Sequence, residues 1–377
     1  MQQVNVPGVY ISQEWREPRP PPSTGVPALL GYVEGHKALP APRRLTHPAQ
    51  LDTEFAGLKP DAALAAAVRG FFENGGQQCQ VVPLGEAQTL KAGLEALLNE
   101  DAIDLVCAPC LPPLDAQEGL PRAQVRLLEF CARRGDCFAL LDSPQPGTSV
   151  KAAEESVLEA RKLLAQRAPD SSLGAIYYPW IRVAGTPDFI PPCGHIAGLF
   201  ARVDRKYGFG KAPANEVLAG ALELAGTLLE PGQLNDAGIN ALRALPGRGI
   251  RVMGARTLSD VAAWRSISVR RLFLALRRRL MRELAWVAFE PNDLRLWLRL
   301  QREVGVILED LFQRGALKGS TPEEAFYVKC DAENNPPAVR EQGGVIVEVG
   351  LAPATPREFL VLRLVQREGK QIEIAAP

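Results

Sequence analysis

Histidine is scarce, at three in 377 residues, and net charge is absent, because 43 Lys and Arg balance 43 Asp and Glu. The histidines, His36, His47 and His195, lie far apart, and none stands beside a nucleophile motif such as G-x-S-x-G. A balanced charge sets up no global field to draw nucleic acid or a membrane surface, and it permits close packing between like copies. No basic n-region with an apolar h-region opens MQQVNVPGVYISQEW, and no uninterrupted apolar run nears the roughly 18 to 20 residues of a membrane helix. Synthesis and folding in the cytosol without membrane insertion are therefore expected. Glycine-rich turns occur at 31–37, 208–211 and 247–254, but none carries G-x-x-x-x-G-K-[ST] or a G-x-G-x-x-G that opens a helix after a strand. Internal repeats are also missing.

Seven cysteines, Cys79, Cys107, Cys110, Cys131, Cys137, Cys193 and Cys330, form an odd set in apolar contexts, which fits reduced core thiols better than a disulfide framework. Cys107 and Cys110 make a C-x-x-C, but Leu111, Pro112 and Pro113 follow at once, so no helix opens there to lower a thiol pKa. Cys131 and Cys137 are poorly spaced as a second zinc pair. Neither a metal nor a cofactor is expected.

What is present is an alternation of strands and helices. A strand is read at 26–33, a helix at 61–74 capped by Asp61, a strand at 79–84, a helix at 87–99 and a strand at 103–107. A helix at 122–134, a strand at 137–142, a helix at 151–167 and a long strand at 173–183 follow. Strands separated by helices of this size imply parallel pairing with right-handed crossovers, an open α/β layer structure. Helical spacing returns at 195–207. Asp104 and Asp142 stand at strand ends, where open α/β sheets place active sites, so a soluble α/β enzyme or nucleotide binder is the alternative reading of function.

The stretch 246–293 organises the rest. A short strand at 249–253 precedes a helix with Val269, Leu272, Phe273, Leu276, Leu280 and Leu284 on one stripe. Its other face carries Arg265, Arg270, Arg271, Arg277, Arg278, Arg279 and Arg282, with no acid before Glu283. Seven cations on one helix repel one another unless neutralised. A neighbouring acidic protein surface, solvent, or intramolecular pairing with Glu283, Glu290, Asp293 or Glu303 could each do so. Nucleic acid ranks last, since no aromatics interleave with the arginines. Trp286 to Phe289 reads as a second strand and 293–315 as a helix. Strands are then read at 325–330, 345–351 and 359–365, and alternation returns at 371–374. At the other end, Val4, Val6, Val9 and Ile11 make an extended segment followed by four prolines between residues 14 and 23. Such a segment either frays or adds to a sheet of its own chain or of a neighbour.

The runs PGRGIRVMGARTLS, WRSISVRRLF and FEPND within 246–293 resemble the carboxy-terminal signature of contractile tail sheath proteins. VPGVYI at Val6 to Ile11, KAPANEVLAG at Lys211 to Gly220, LNDAGINALR at Leu234 to Arg243 and GSTPEEAF at Gly319 to Phe326 agree as well. Residues 39–169 are similar only in their α/β rhythm. The resemblance implies a structural, non-enzymatic subunit with two lobes: an arm and proline linker at 1–24, an inserted open α/β outer domain at 25–245, and an inner α+β polymerisation domain at 246–377 built together with both termini. It implies stacking as six-fold rings around an inner tube and contraction by rigid-body rotation. Val4, Val6, Val9, Ile11, Phe359, Val361, Val365, Ile372 and Ile374 would reach into adjoining copies, and Arg270, Arg271, Arg277, Arg278, Arg279 and Arg282 would be candidates for tube or subunit contact. The implied partners are further copies or sheath paralogues, an inner tube protein, and baseplate and tail-terminator proteins. The particle would be a phage virion or a phage-tail-like device, assembled in the cytoplasm.

Overall fold

The computed structural model describes residues 24–377, apart from 38–39, 57, 86–89, 110–119, 146, 148, 209, 227, 229–230, 355–359, 367–372 and 376–377. In chain order the first body comprises β1 (Pro27–Glu34), β2 (Arg43–Leu45), α1 (Gln50–Glu54), β3 (Lys59–Pro60), α2 (Ala62–Glu73), β4 (Cys79–Leu84), α3 (Leu90–Ala96) and β5 (Leu105–Cys107). It continues through α4 (Leu120–Arg134), β6 (Phe138–Asp142), α5 (Val150–Arg167), β7 (Gly174–Tyr178), β8 (Ile181–Val183), α6 (Cys193–Tyr207), β9 (Ala221–Leu224), α7 (Pro231–Asp236), β10 (Ile239–Leu245) and β11 (Gly249–Val252).

The large sheet runs β11-β10-β7-β6-β5-β1-β4-β2, with β3 added to β1. Its centre, from β10 to β4, is parallel, and the outer strands β11 and β2 are antiparallel. Every residue of β4, β6 and β7 is buried. Burial on both sides of a parallel sheet needs a helical layer on each. Helices α2 and α6 supply one pair, and α3, α4 and α5 are neighbours in a second group. The expected strand at 173–183 is in fact two, β7 and β8. It breaks at Pro179, which has no amide hydrogen to give a ladder.

The β10–β11 hairpin pairs Leu242 with Val252 and Leu245 with Gly249. This carries the large sheet past residue 245, where the outer lobe was expected to end.

The second body contains α8 (Ile267–Glu283), α9 (Leu294–Gln313), α10 (Pro322–Ala325), β12 (Phe326–Lys329), α11 (Pro337–Glu341), β13 (Val345–Leu351), β14 (Leu360–Gln366) and β15 (Glu373–Ala375). Its antiparallel sheet, in order β12-β13-β14-β15, covers α8 and α9. The second core joins Val269, Leu272, Phe273, Leu276 and Leu280 of α8 to Leu300, Val304 and Leu308 of α9 and to alternate residues of β13. Trp286 to Phe289 is not a strand. The segment Ala285–Phe289 coils as a 3-10 turn that starts directly after α8, and Trp286 Nε1 donates to Glu303.

Candidate assembly surfaces and the arginine junction

Helix α8 is gripped from both sides. Its apolar stripe enters the second core, and Arg270, Arg271, Arg277 and Arg278 face the α/β body. Arg270 Nη2 donates to Asp170 at 2.6 Å, and Arg271 donates to both oxygens of Asp204, at 2.7 and 2.6 Å, and to Asp104 at 3.1 Å. Arg278 reaches Asp136 at 3.2 Å and the carbonyl of Ile103 at 2.6 Å. Arg279 binds Glu283 at 2.9 Å and Asp310 of α9 at 2.7 Å. The Arg277 guanidinium lies so close over Gly135 that a Cβ there would sit 2.7 Å from Cζ, and Arg282 is half-buried.

Arg270, Arg271 and Arg278, expected as candidates for tube or subunit contact, bond in this chain to the α/β body at an internal junction. Of the acids expected to pair with this helix, Glu283 accepts from Arg279. Glu290 and Glu303 take Arg299, and Asp293 caps α9 by accepting from the amides of Arg295 and Leu296. The true partners, Asp104, Asp136, Asp170 and Asp204, lie 67 to 167 residues away, beyond any spacing rule.

Burial opposes the charge on Arg271, but the carboxylates of Asp204 and Asp104 outweigh it and raise its pKa. The guanidinium also stacks over the Phe200 ring, 4.8 Å from its centroid. A cavity of about 150 Å³ lies beside this cluster, between α8, α9 and the start of the α/β body.

Helix α9 has an outer face that is exposed among the described residues. Leu296, Trp297, Leu300, Val304, Ile307 and Leu308 are buried as its periodicity requires. On the opposite side Leu294, Leu298 and Val306 are 63%, 57% and 64% exposed, in line with the exposed Arg302. Apolar side chains at i, i+4 and i+12 form a stripe that is exposed among the described residues.

In this single chain the C-terminal strands complete the chain's own sheet. Val361 pairs with Gly350 and Val365 with Ile346 in a seven-residue register between β13 and β14, and Ile374 pairs with Leu364. These residues were expected to reach into an adjoining copy. Here β13 supplies a complete ladder beside them, so their backbone groups bond within the chain. Among the described residues, β12 and β15 are the edges of this sheet. Val4, Val6, Val9, Ile11, Phe359 and Ile372 lie outside the described residues.

Asp104, Asp142, His195 and Cys107 are built into the core, whereas His47 is exposed and His36 half-buried. Asp142 accepts from the Cys193 amide at the start of α6, Asp104 is committed to the junction, and His195 is buried against Gly70 of α2. Cys107 is buried, and Cys110 lies outside the described residues.

Comparison with known proteins agrees along the chain. The sequence model of the phage tail sheath protein central domain matches residues 86–258, and that of the phage tail sheath C-terminal domain matches 259–367. Together they cover about three quarters of the chain. The tail sheath protein of Vibrio phage KVP40 is 27% identical over 185 residues, which is 47% of this chain but only 26% of that protein. The sheath of an extracellular contractile injection system, PVC, in its contracted state, superposes with a TM-score of 0.74 at 27% identity, covering 98% of this chain and 99% of that one. The contracted helical sheath of the anti-feeding prophage gives 0.71 at 29% identity, over 94% and 98%.

Proposed function

The chain belongs to the phage tail sheath family, and from that premise we propose that it is the repeating structural subunit of a contractile sheath. Copies stack as six-fold rings around an inner tube, and strand exchange links them. The observation that carries this reading is the unbroken order of both sheath domains over 86–367, ending in an antiparallel sheet with edges at β12 and β15. An edge strand has unpaired amides and carbonyls, so an extended segment of another copy can extend the ladder. Residues 4–11, on a proline-stiffened linker, suit that role. On this reading the arm is 1–24, the outer domain follows, and the polymerisation domain starts close to α8.

The partners are other copies, an inner tube protein, and baseplate and terminator proteins, with assembly in the cytoplasm. Of the two helices that could face the tube, α9 is favoured. Its stripe of Leu294, Leu298 and Val306 is outward, while the arginines of α8 are occupied. Contraction is a rigid-body rotation of subunits from an extended lattice to a shorter, wider one, and it needs no catalytic residue.

Electron microscopy of the expressed protein tests the reading. Long tubes or stacked rings are expected, and a chain lacking residues 1–20 should stay folded yet fail to polymerise. A discrete monomer or dimer that binds a small ligand would overturn the proposal.

A further inference from the structure

One carboxylate ties the beginning of the described chain to the helix that joins the two bodies. Gly25 donates its amide to Asp104 Oδ2 at 3.0 Å and Val26 donates to Oδ1 at 2.7 Å. Oδ2 also accepts Arg271 Nη2 at 3.1 Å, and Arg271 forks onto Asp204. Asp104, Asp204 and Arg271 are all buried. Four segments therefore meet here: the residues before β1, the start of β5, the last turns of α6 and the second turn of α8. Gly25 is locked in place by shape as well. Its φ is +70°, and a Cβ on it would lie 2.4 Å from Ala201 Cα.

We propose that the Asp104–Arg271 contact is a coupler, through which the root of the N-terminal arm and the orientation of the C-terminal body are held as one mechanical unit. Its use in a sheath rests on the function proposed above, whereas the coupling is a property of the single chain. The charge arithmetic makes it directional. Two carboxylates share one guanidinium, so removing Arg271 strands two buried acids and weakens Asp104 as an acceptor for Gly25 and Val26. Removing the charge of Asp104 leaves Arg271 and Asp204 as a balanced pair. The arm root then loosens while α8 stays anchored. In an assembly, a neighbour pulling on the arm would load α8, and with it the second core, through one buried contact.

Hydrogen–deuterium exchange on the unassembled subunit tests this, read on peptides spanning 24–30 and 267–276. Asp104→Asn should speed exchange at the amides of residues 25 and 26 roughly 10- to 100-fold, the loss of a charge-assisted bond, with α8 unchanged. Arg271→Met should speed both regions although Arg271 touches neither amide. If that variant does not fold, Arg271→Lys, which keeps the charge and loses the fork, should give the same pattern more weakly. Arg270→Gln, which breaks the Asp170 contact and the stacking over Trp264 on the same helix but leaves Asp104 and Arg271 untouched, should leave 24–30 at the wild-type rate. The coupler is overturned if the Arg271 variants loosen α8 and leave 24–30 unchanged, or if Arg270→Gln loosens 24–30 equally. Because the readout is taken on free subunits, a failure of the wild type to form tubes would count against the sheath reading alone.

Discussion

Arg278 Nε donates to Asp136 Oδ2 at 3.2 Å across 142 residues of chain, and its Nη2 closes on the Ile103 carbonyl at 2.6 Å. Both side chains are largely buried, so this pair is a tie between the bodies and more than a solvated surface bridge. Arg278→Ala should cost about 2 kcal/mol in urea unfolding, because it strands part of a buried carboxylate and a carbonyl. Burial pushes the Asp136 carboxyl up, but the hydrogen bonds from Arg134 and the charge of Arg278 outweigh it and hold its pKa below 3.8. That stabilisation is present above about pH 3.8 and is lost as pH falls through the lower folded value. Unfolding free energies between pH 2 and 5 should show a fall that Asp136→Asn removes. An unchanged acid limb in that variant would refute the assignment.

Much of the α/β body could be read directly, and the reasons are local. Strand β4 falls at Cys79–Leu84 and β13 at Val345–Leu351, as their apolar runs and alternation indicate. Misreadings arose where the run was too short to have a period. Trp286, Val287 and Phe289 have β-type side chains, yet the chain coils there because α8 has just ended and Val287 must reach the second core. The arginine helix marks a different limit. Its apolar stripe could be read from spacing, but the destination of its cationic face depended on acids brought near only by the parallel sheet and α6. A run of arginines with no local acid is thus as good a sign of an internal seam as of an external partner.

Two buried groups should give opposite pH dependences. Burial lowers the His195 pKa from 6.5 to about 4, and burial raises that of Asp142 from 3.8 to about 7 against the amide bond from Cys193. Between pH 4 and 6.5 the unfolded chain holds a proton on His195 that the folded chain lacks, so this group makes stability rise with pH. Asp142 does the reverse, since the folded chain keeps a proton that the unfolded chain has lost. Asp142→Asn should therefore unmask a rise on the order of 3 kcal/mol from pH 4 to 6.5, and His195→Gln should unmask a fall. Equal slopes in both variants and the wild type would contradict the pairing.

Glycines separate tight from open helix faces. A Cβ on Gly198 of α6 would lie 2.2 Å from the Phe71 carbonyl oxygen of α2, whereas one on Gly305 of α9 meets nothing within 4 Å. Gly198→Ala should therefore destabilise by about 1 to 3 kcal/mol through overpacking. Gly305→Ala should stabilise by up to about 1 kcal/mol through helix propensity. Denaturant midpoints at constant slope decide this, and equal effects of the two changes would show that α2 and α6 are not in close contact.

The outer stripe of α9 separates folding from assembly. Leu298 is 57% exposed and sits between Leu294 and the exposed Arg302, so it contributes little to either core. Leu298→Glu should leave the melting of the free subunit within about 0.5 kcal/mol of wild type, as for most surface changes. The same change places a charge in the centre of a face that must be desolvated if it docks on a tube, where burying an unpaired charge is costly. Co-sedimentation of the subunit with the inner tube protein should then fall sharply, while Gln313→Glu, at the exposed far end of the helix, should not reduce it. If Leu298→Glu sheathed tubes as fully as the wild type, the tube would have to meet another surface, and the stripe would need a different occupant.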